Sequence, residues 1–182
     1  MRRSIGFIEF KSIAKGIEAT DFMLKSGDVK LIFAAPICPG KYISIVSGNV
    51  GAVENSLVVG RKAGGIFTIE SYLIPNANEK IFPALSGTYY PEKSQSIGII
   101  ETMSAIASII MGDAAVKAAN IELIEIRLAR GLGGKGFVIM TGDISAVKSA
   151  IKTCEDMFID KGEIVSAAVI PSPSKELIKT LY

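Results

Sequence analysis

The pattern of apolar and polar positions divides the chain into short β-rich runs separated by stretches with helical spacing. A mostly apolar run over residues 5–10 predicts a strand, and Ile13, Ile17, Thr20 and Leu24 then recur at steps of three and four. That spacing predicts a helix that begins after Ser12, shows those four residues on one face and ends at Gly27-Asp28. Residues 29–35 read as a second strand, Cys38-Pro39-Gly40 as a tight turn and residues 42–46 as the returning strand, together a hairpin. Asn49 is placed to cap a second helix, Gly64-Gly65 to break it, and residues 67–74 to form a last strand, with a short helix or turn after Pro75.

The same pattern then returns. Ser4-Ile5-Gly6-Phe7-Ile8-Glu9 reappears 92 residues on as Ser96-Ile97-Gly98-Ile99-Ile100-Glu101, and at that spacing Ser12 meets Ser104, Asp21 meets Asp113 and Lys25 meets Lys117. Past a two-residue insertion the spacing is 94, where Gly40-Lys41 meets Gly134-Lys135 and Ala52-Val53 meets Ala146-Val147; Ile74-Pro75 meets Ile170-Pro171 at 96. The chain is a tandem duplication. The order β-α-β-β-α-β, met twice, predicts an α+β fold of two ferredoxin-like domains, each an antiparallel sheet with helices on one face, over 1–88 and 89–182. The turn-rich, polar residues 86–93 are the expected joint.

Composition narrows the function classes. Histidine is absent, which removes the usual general base, the Ser-His and Cys-His nucleophile pairs and the commonest zinc ligand. No acid/base or nucleophile constellation replaces it, so the chain is not expected to be an enzyme. Lys and Arg number 20 against 18 Asp and Glu, scattered without a basic block, which argues against nucleic acid as a partner. The first apolar stretch is broken at Glu9 and Lys11, too soon for a signal-peptide core, and no segment offers about 18 uninterrupted apolar residues, so no membrane role and a cytoplasmic location are expected.

Few residues remain to carry chemistry. Gly131-Leu132-Gly133-Gly134-Lys135-Gly136 invites a phosphate-loop reading, but the spacing is wrong and Gly follows the Lys where a hydroxyl would be needed for Mg²⁺. A tight turn, or glycines that let several subunits crowd around an axis, explains it better. The chain has two cysteines. Cys154 continues a helical stripe of Ile144, Val147, Ile151 and Phe158 and reads as a buried small hydrophobe. Cys38 lies in a turn where no core stripe needs it, opposite Leu132 in the repeat. Alone it is an exposed thiol. An iron–sulfur cluster normally takes four thiolates, so a metal role for Cys38 requires several chains to bring their copies together, as a three-fold axis would. Lys25 and Lys117 end the equivalent first helices and read equally as solvated, dipole-favoured lysines or as contact residues. Glu9 and Glu101, at equivalent strand positions, are expected to be structural carboxylates beside the sheet edge, with acid/base work as the alternative.

The opening Ser-Ile-Gly-x-Ile-Glu strand, the Asp21-to-Lys25 and Asp113-to-Lys117 helix ends, the Gly-Lys turns and the starts of the second helices resemble, as a set, the bacterial microcompartment (BMC) shell proteins. Both copies carry the set. Two fused copies are similar to the tandem-domain members, and Ile37-Cys38-Pro39-Gly40-Lys41 resembles the turn of the iron–sulfur-bearing tandem type found in propanediol-utilisation compartments, departing from it at Pro36, where that type has Thr. The resemblance implies a structural protein whose homotrimers, imitating hexamers, tile with other shell proteins into a compartment shell within the cytoplasm. It further implies one [4Fe–4S] cluster per trimer, held by Cys38 of three chains at a central pore, for electron transfer across the shell or to an enclosed oxidoreductase. By the same resemblance Pro39, Gly40, Leu132, Gly133 and Gly134 line the pore, and Lys25 and Lys117 lie at inter-oligomer edges. The alternative from the residues alone is a regulatory protein whose two ferredoxin-like domains bind a small metabolite through their glycine turns.

Overall fold

A computed structural model describes residues 3–87 and 95–181. The first repeat runs β1 (Arg3–Phe10), α1 (Ile13–Lys25), β2 (Val29–Ile37), β3 (Lys41–Gly48), α2 (Val50–Gly64) and β4 (Thr68–Ala77). After a short helix, α3 (Ile81–Ser86), the second runs β5 (Ser96–Thr102), α4 (Ala105–Ala118), β6 (Ile121–Leu128), β7 (Gly136–Gly142), α5 (Ile144–Phe158) and β8 (Ile164–Ile170), followed by α6 (Lys175–Ile178). Each repeat folds its strands into one four-stranded antiparallel sheet, ordered β2-β3-β1-β4 and β6-β7-β5-β8. The α+β arrangement expected from the sequence is therefore present in both copies. The chain separates into compact units at Ala77/Asn78, so α3 folds with the second unit. The joint expected at 88/89 lies outside the described residues. Among the described residues no helix is long and apolar enough to cross a membrane.

The duplication reaches into irregularities. Register shifts fall between Leu31 and Phe33 in one sheet and between Leu123 and Glu125 in the other, and again after Glu9 and after Glu101. The hydroxyls of Ser12 and Ser104 cap α1 and α4 by accepting the Lys15 and Ala107 amides at 3.3 and 3.2 Å. Asn49 caps α2 through the Ala52 amide at 2.8 Å. Glycine is required at the middle of both central strands: a Cβ on Gly6 or Gly98 would come within 2.5 or 2.6 Å of Val53 or Val147, so its absence lets the second helix lie down on the sheet.

The stripe read for α1 is rotated from its expected place. Thr20 is buried, but Ile13 and Ile17 are exposed, and the face against the sheet is Gly16, Ala19, Thr20 and Met23. Close approach decides this: the ring of Tyr42 occupies the space above Gly16, where a Cβ would come 2.6 Å from it. In the first unit this face packs with Ile8, Phe10, Val46, Val53 and Leu57. The other face of that sheet carries Ile5, Phe7, Ile43 and Ile45, all fully buried.

Candidate functional site

The hairpin that holds Cys38 forms because Ile37 pairs with Lys41, leaving Cys38, Pro39 and Gly40 to reverse the chain. The Cys38–Pro39 peptide is cis and Gly40 has φ +78°. Nothing lies within 4 Å of a Cβ built on Gly40, so within one chain the backbone conformation, and not crowding, calls for glycine. Cys38 is a free, half-buried thiol. The equivalent hairpin of the second unit is two residues longer and is shaped by positive φ at Ala129, Gly131, Gly133 and Gly134, closing with the Lys135 amide on the Leu132 carbonyl at 3.2 Å. Leu132 is half-buried and Gly133 exposed. The residues expected at the pore thus occupy the tips of two equivalent hairpins, one in each unit.

Each tip is anchored to its sheet by an ion pair that links two separately repeated residues. Lys41, the residue after Gly40, places Nζ 3.1 Å from Glu9 Oε2, and Lys135 places Nζ 2.9 Å from Glu101 Oε1. The pairs share geometry and differ in surroundings. Glu9 is 1% exposed and its Oε1 has no partner among the described residues, whereas Glu101 is 36% exposed and also accepts from Ser166 Oγ. The Lys135 hydrogen bond holds the Glu101 carboxyl below the usual carboxylate range, against a smaller opposing effect of desolvation. Sequence reading placed both glutamates beside the sheet but did not pair them; the available signal was that glutamate and lysine recur together, each at its own spacing.

The two lysines expected at tile edges are not equivalent. Lys25 pairs with Asp21 at 2.6 Å on an open surface, with 71% of its side chain exposed. Lys117 pairs with Asp113, but that carboxylate is buried and also accepts the Asn78 amide at 2.9 Å. Next to it Lys80 donates to the Ile121 carbonyl and pairs with Glu122. The segment after β4 therefore ties the second lysine's partner down, which equal repeat positions could not reveal.

Cys154 sits in the core as expected. It is fully buried, donates to the Met111 carbonyl at 3.4 Å, and burial first, then Glu155, pushes its thiol up to about 12. It stays a neutral thiol. Cys38 differs by being reachable. Among the described residues no group of three or more His, Cys, Asp or Glu side chains is placed to hold a metal ion, so one chain offers a single soft donor at a tip. Such a donor fits an iron–sulfur cluster only if other chains bring theirs to the same place.

Comparison with known proteins agrees with this organisation. The BMC domain family model matches residues 4–77 and 96–173. The chain is 40% identical over 177 residues to the bacterial microcompartment shell protein PduT of Citrobacter freundii, covering 97% of this chain and 96% of that protein. It is 35% identical over 83 residues to the shell protein EutM of Salmonella typhimurium, a match covering 46% of this chain and 84% of that protein. Its fold matches the crystal structure of a microcompartment protein from Desulfitobacterium hafniense with a TM-score of 0.94 and 38% identity, covering 98% and 99% of the two chains.

Proposed function

The chain belongs to the BMC domain family and is a tandem-domain structural shell protein of bacterial microcompartments, and from that premise we propose that three copies close into a six-domain ring whose centre holds one [4Fe–4S] cluster. What supports the cluster is Cys38: a reachable thiol at a hairpin tip, in a chain whose other cysteine is sealed in the core. Three such tips, one from each chain, supply three thiolates, and the fourth iron takes a ligand other than cysteine. Pro39 and Gly40 shape the tip that presents the thiol; Leu132, Gly133 and Gly134 line the pore between the thiols. Lys41, fixed on Glu9, holds the base of the tip in place. When bound, the cluster supplies one-electron redox chemistry at the shell wall. A cluster held by Cys38 of three chains would carry single electrons between the two sides of the wall or to an enclosed oxidoreductase. Lys25 and Lys117 contribute to edges shared with neighbouring rings and other shell proteins.

The test is anaerobic iron and sulfide analysis with native mass spectrometry on the same sample. Wild type is expected to be a trimer with one cluster per three chains, and Cys38→Ala a trimer without iron or brown absorbance. Equal iron content in the two proteins would show that Cys38 is not the ligand. A monomeric wild type would remove the ring and the cluster together.

A further inference from the structure

Just past each repeat, a short helical segment follows the last strand, and the two segments carry opposite charges at the same place. Counted at the spacing of 96, Asn78-Glu79-Lys80-Ile81 corresponds to Ser174-Lys175-Glu176-Leu177. The first segment folds with the second unit, where α3 lies along β6. Lys80 pairs with Glu122 at 2.7 Å and donates to the Ile121 carbonyl at 2.9 Å, and the Asn78 amide reaches Asp113, the partner of Lys117. Ile81 and Ala84 of α3 are buried. The second segment makes no such dock. It is held to its own unit by Ser96 Oγ on the Pro171 carbonyl at 3.1 Å and by Leu181 against Ile97, Ile124 and Ile139, while Lys175, Glu176 and Leu177 between them face solvent.

The first unit has the matching receiving surface. At the spacing of 92, Lys30 corresponds to Glu122, Asp21 to Asp113 and Leu31 to Leu123. Where the segment changes Lys80 to Glu176, the surface changes Glu122 to Lys30, so both halves of the ion pair have reversed together. A reversal on one side alone would set like charges against each other; a joint reversal keeps the attraction. Lys30 and Glu176 are both exposed, and neither has a partner among the described residues. Phe22 on α1 and Leu31 on β2, 49% and 45% exposed, supply apolar surface on the same flank.

We infer that the C-terminal helix α6 of one copy is the missing half of the Lys25 edge of another: Glu176 pairs with Lys30, Leu177 covers Phe22 and Leu31, and the segment fixes Asp21 and Lys25 as the Asn78 segment fixes Asp113 and Lys117. Chain order selects the receiver. The segment after the first sheet docks on the unit that follows it, and after the second sheet the chain ends, so the following unit belongs to another copy. The open Lys25–Asp21 pair is thus an edge left incomplete until a second chain contributes its C-terminus. This pairing rests on the ring proposed above, which brings the copies together, and assigns the C-terminal helix a task within it.

Hydrogen–deuterium exchange over residues 174–181, with native mass spectrometry on the same samples, tests the pairing in wild type, Glu176→Lys, Lys30→Glu and a mixture of the two variants reassembled together. Both positions are exposed, so each variant is expected to fold. Each variant alone sets like charges together and should exchange about fivefold faster over this segment than wild type. In the mixture each variant meets the opposite charge on the other, and protection should return; docking within a single chain would gain nothing from mixing. A trimeric wild type that exchanges as fast as either variant, or a mixture that stays fast, overturns the pairing and leaves the ring reading standing. A monomeric wild type overturns the ring reading and the pairing with it.

Discussion

Where the first unit packs Met23 onto Gly60, the second has Ala115 and Cys154 at the equivalent places. Where the first fits Tyr42 over Gly16, the second sets Gly136 against Ser108. In both cases large and small have changed sides. The larger side chain comes from α1 at the helix–helix contact and from β3 at the helix–sheet contact of the first unit, and in each case the second unit takes the larger one from the opposite element, as a core that must fit volumes and not particular residues allows. The ion pairs under the two hairpin tips teach the complementary lesson: Glu9–Lys41 and Glu101–Lys135 keep their residues, and their surroundings have diverged.

That divergence gives the largest expected effect. Lys41→Met leaves Glu9 buried without a counter-charge and should cost about 3 kcal/mol, whereas Lys135→Met at the exposed, solvent-screened pair should cost far less. Denaturant unfolding of both variants measures the difference, and equal losses would mean that the two tips are anchored alike. Next comes the volume exchange. A Cβ on Gly60 would lie 2.6 Å from Met23 Sδ, so Gly60→Cys should cost about 1–3 kcal/mol. Adding Met23→Ala copies the second unit's pair into the first; the double variant should be less destabilised than the two single losses added together, and strict additivity would show that the positions do not exchange volume.

Alkaline pH sharpens the comparison further. Burial raises the thiol of Cys154 to about 12, so the unfolded chain releases that proton first and stability present below about pH 9 is lost as pH climbs toward 12. Tyr42, raised by burial in the first unit, acts in the same direction. Cys154→Ala should flatten the slope of stability against pH by at most about 1.4 kcal/mol per pH unit, read from thermal unfolding between pH 8 and 10. The smallest effect is at the acid end. Glu101 is held below its ordinary range by Lys135, so its contribution is present above the unfolded value and disappears as pH falls through the folded one. At an exposed site it is slight, and an NMR titration in which Lys135→Met leaves the Glu101 carboxyl unmoved would remove it.

Most of the fold was legible because it is written twice. Ser12, Asn49 and the Gly64-Gly65 break mark element ends by local chemistry, and Ser104 repeats the first of these caps at the fixed spacing. The strands run longer than their apolar cores suggest, to Ile37 and Ala77, because ladder pairing continues past the residues that need burying. The face of α1 was misread because Gly16 and Ala19 carry no hydrophobic signal, yet allow the closest approach. Cys38 stood out by having no structural use. The pairing of Glu9 with Lys41 was signalled only by the recurrence of both residues in the second repeat, since strand register joins residues far apart in the chain. The unequal footing of Lys25 and Lys117 depends on Asn78, which lies outside both repeats.

The two-residue difference between the hairpins also bears on stoichiometry. A ring of identical single-domain chains shows every tip residue once per domain, so a sixfold ring can present six thiols or none. In the ring proposed above, fusing two domains and letting one tip diverge, Cys38 in the first and Leu132 in the second, would halve that number and make odd coordination numbers reachable.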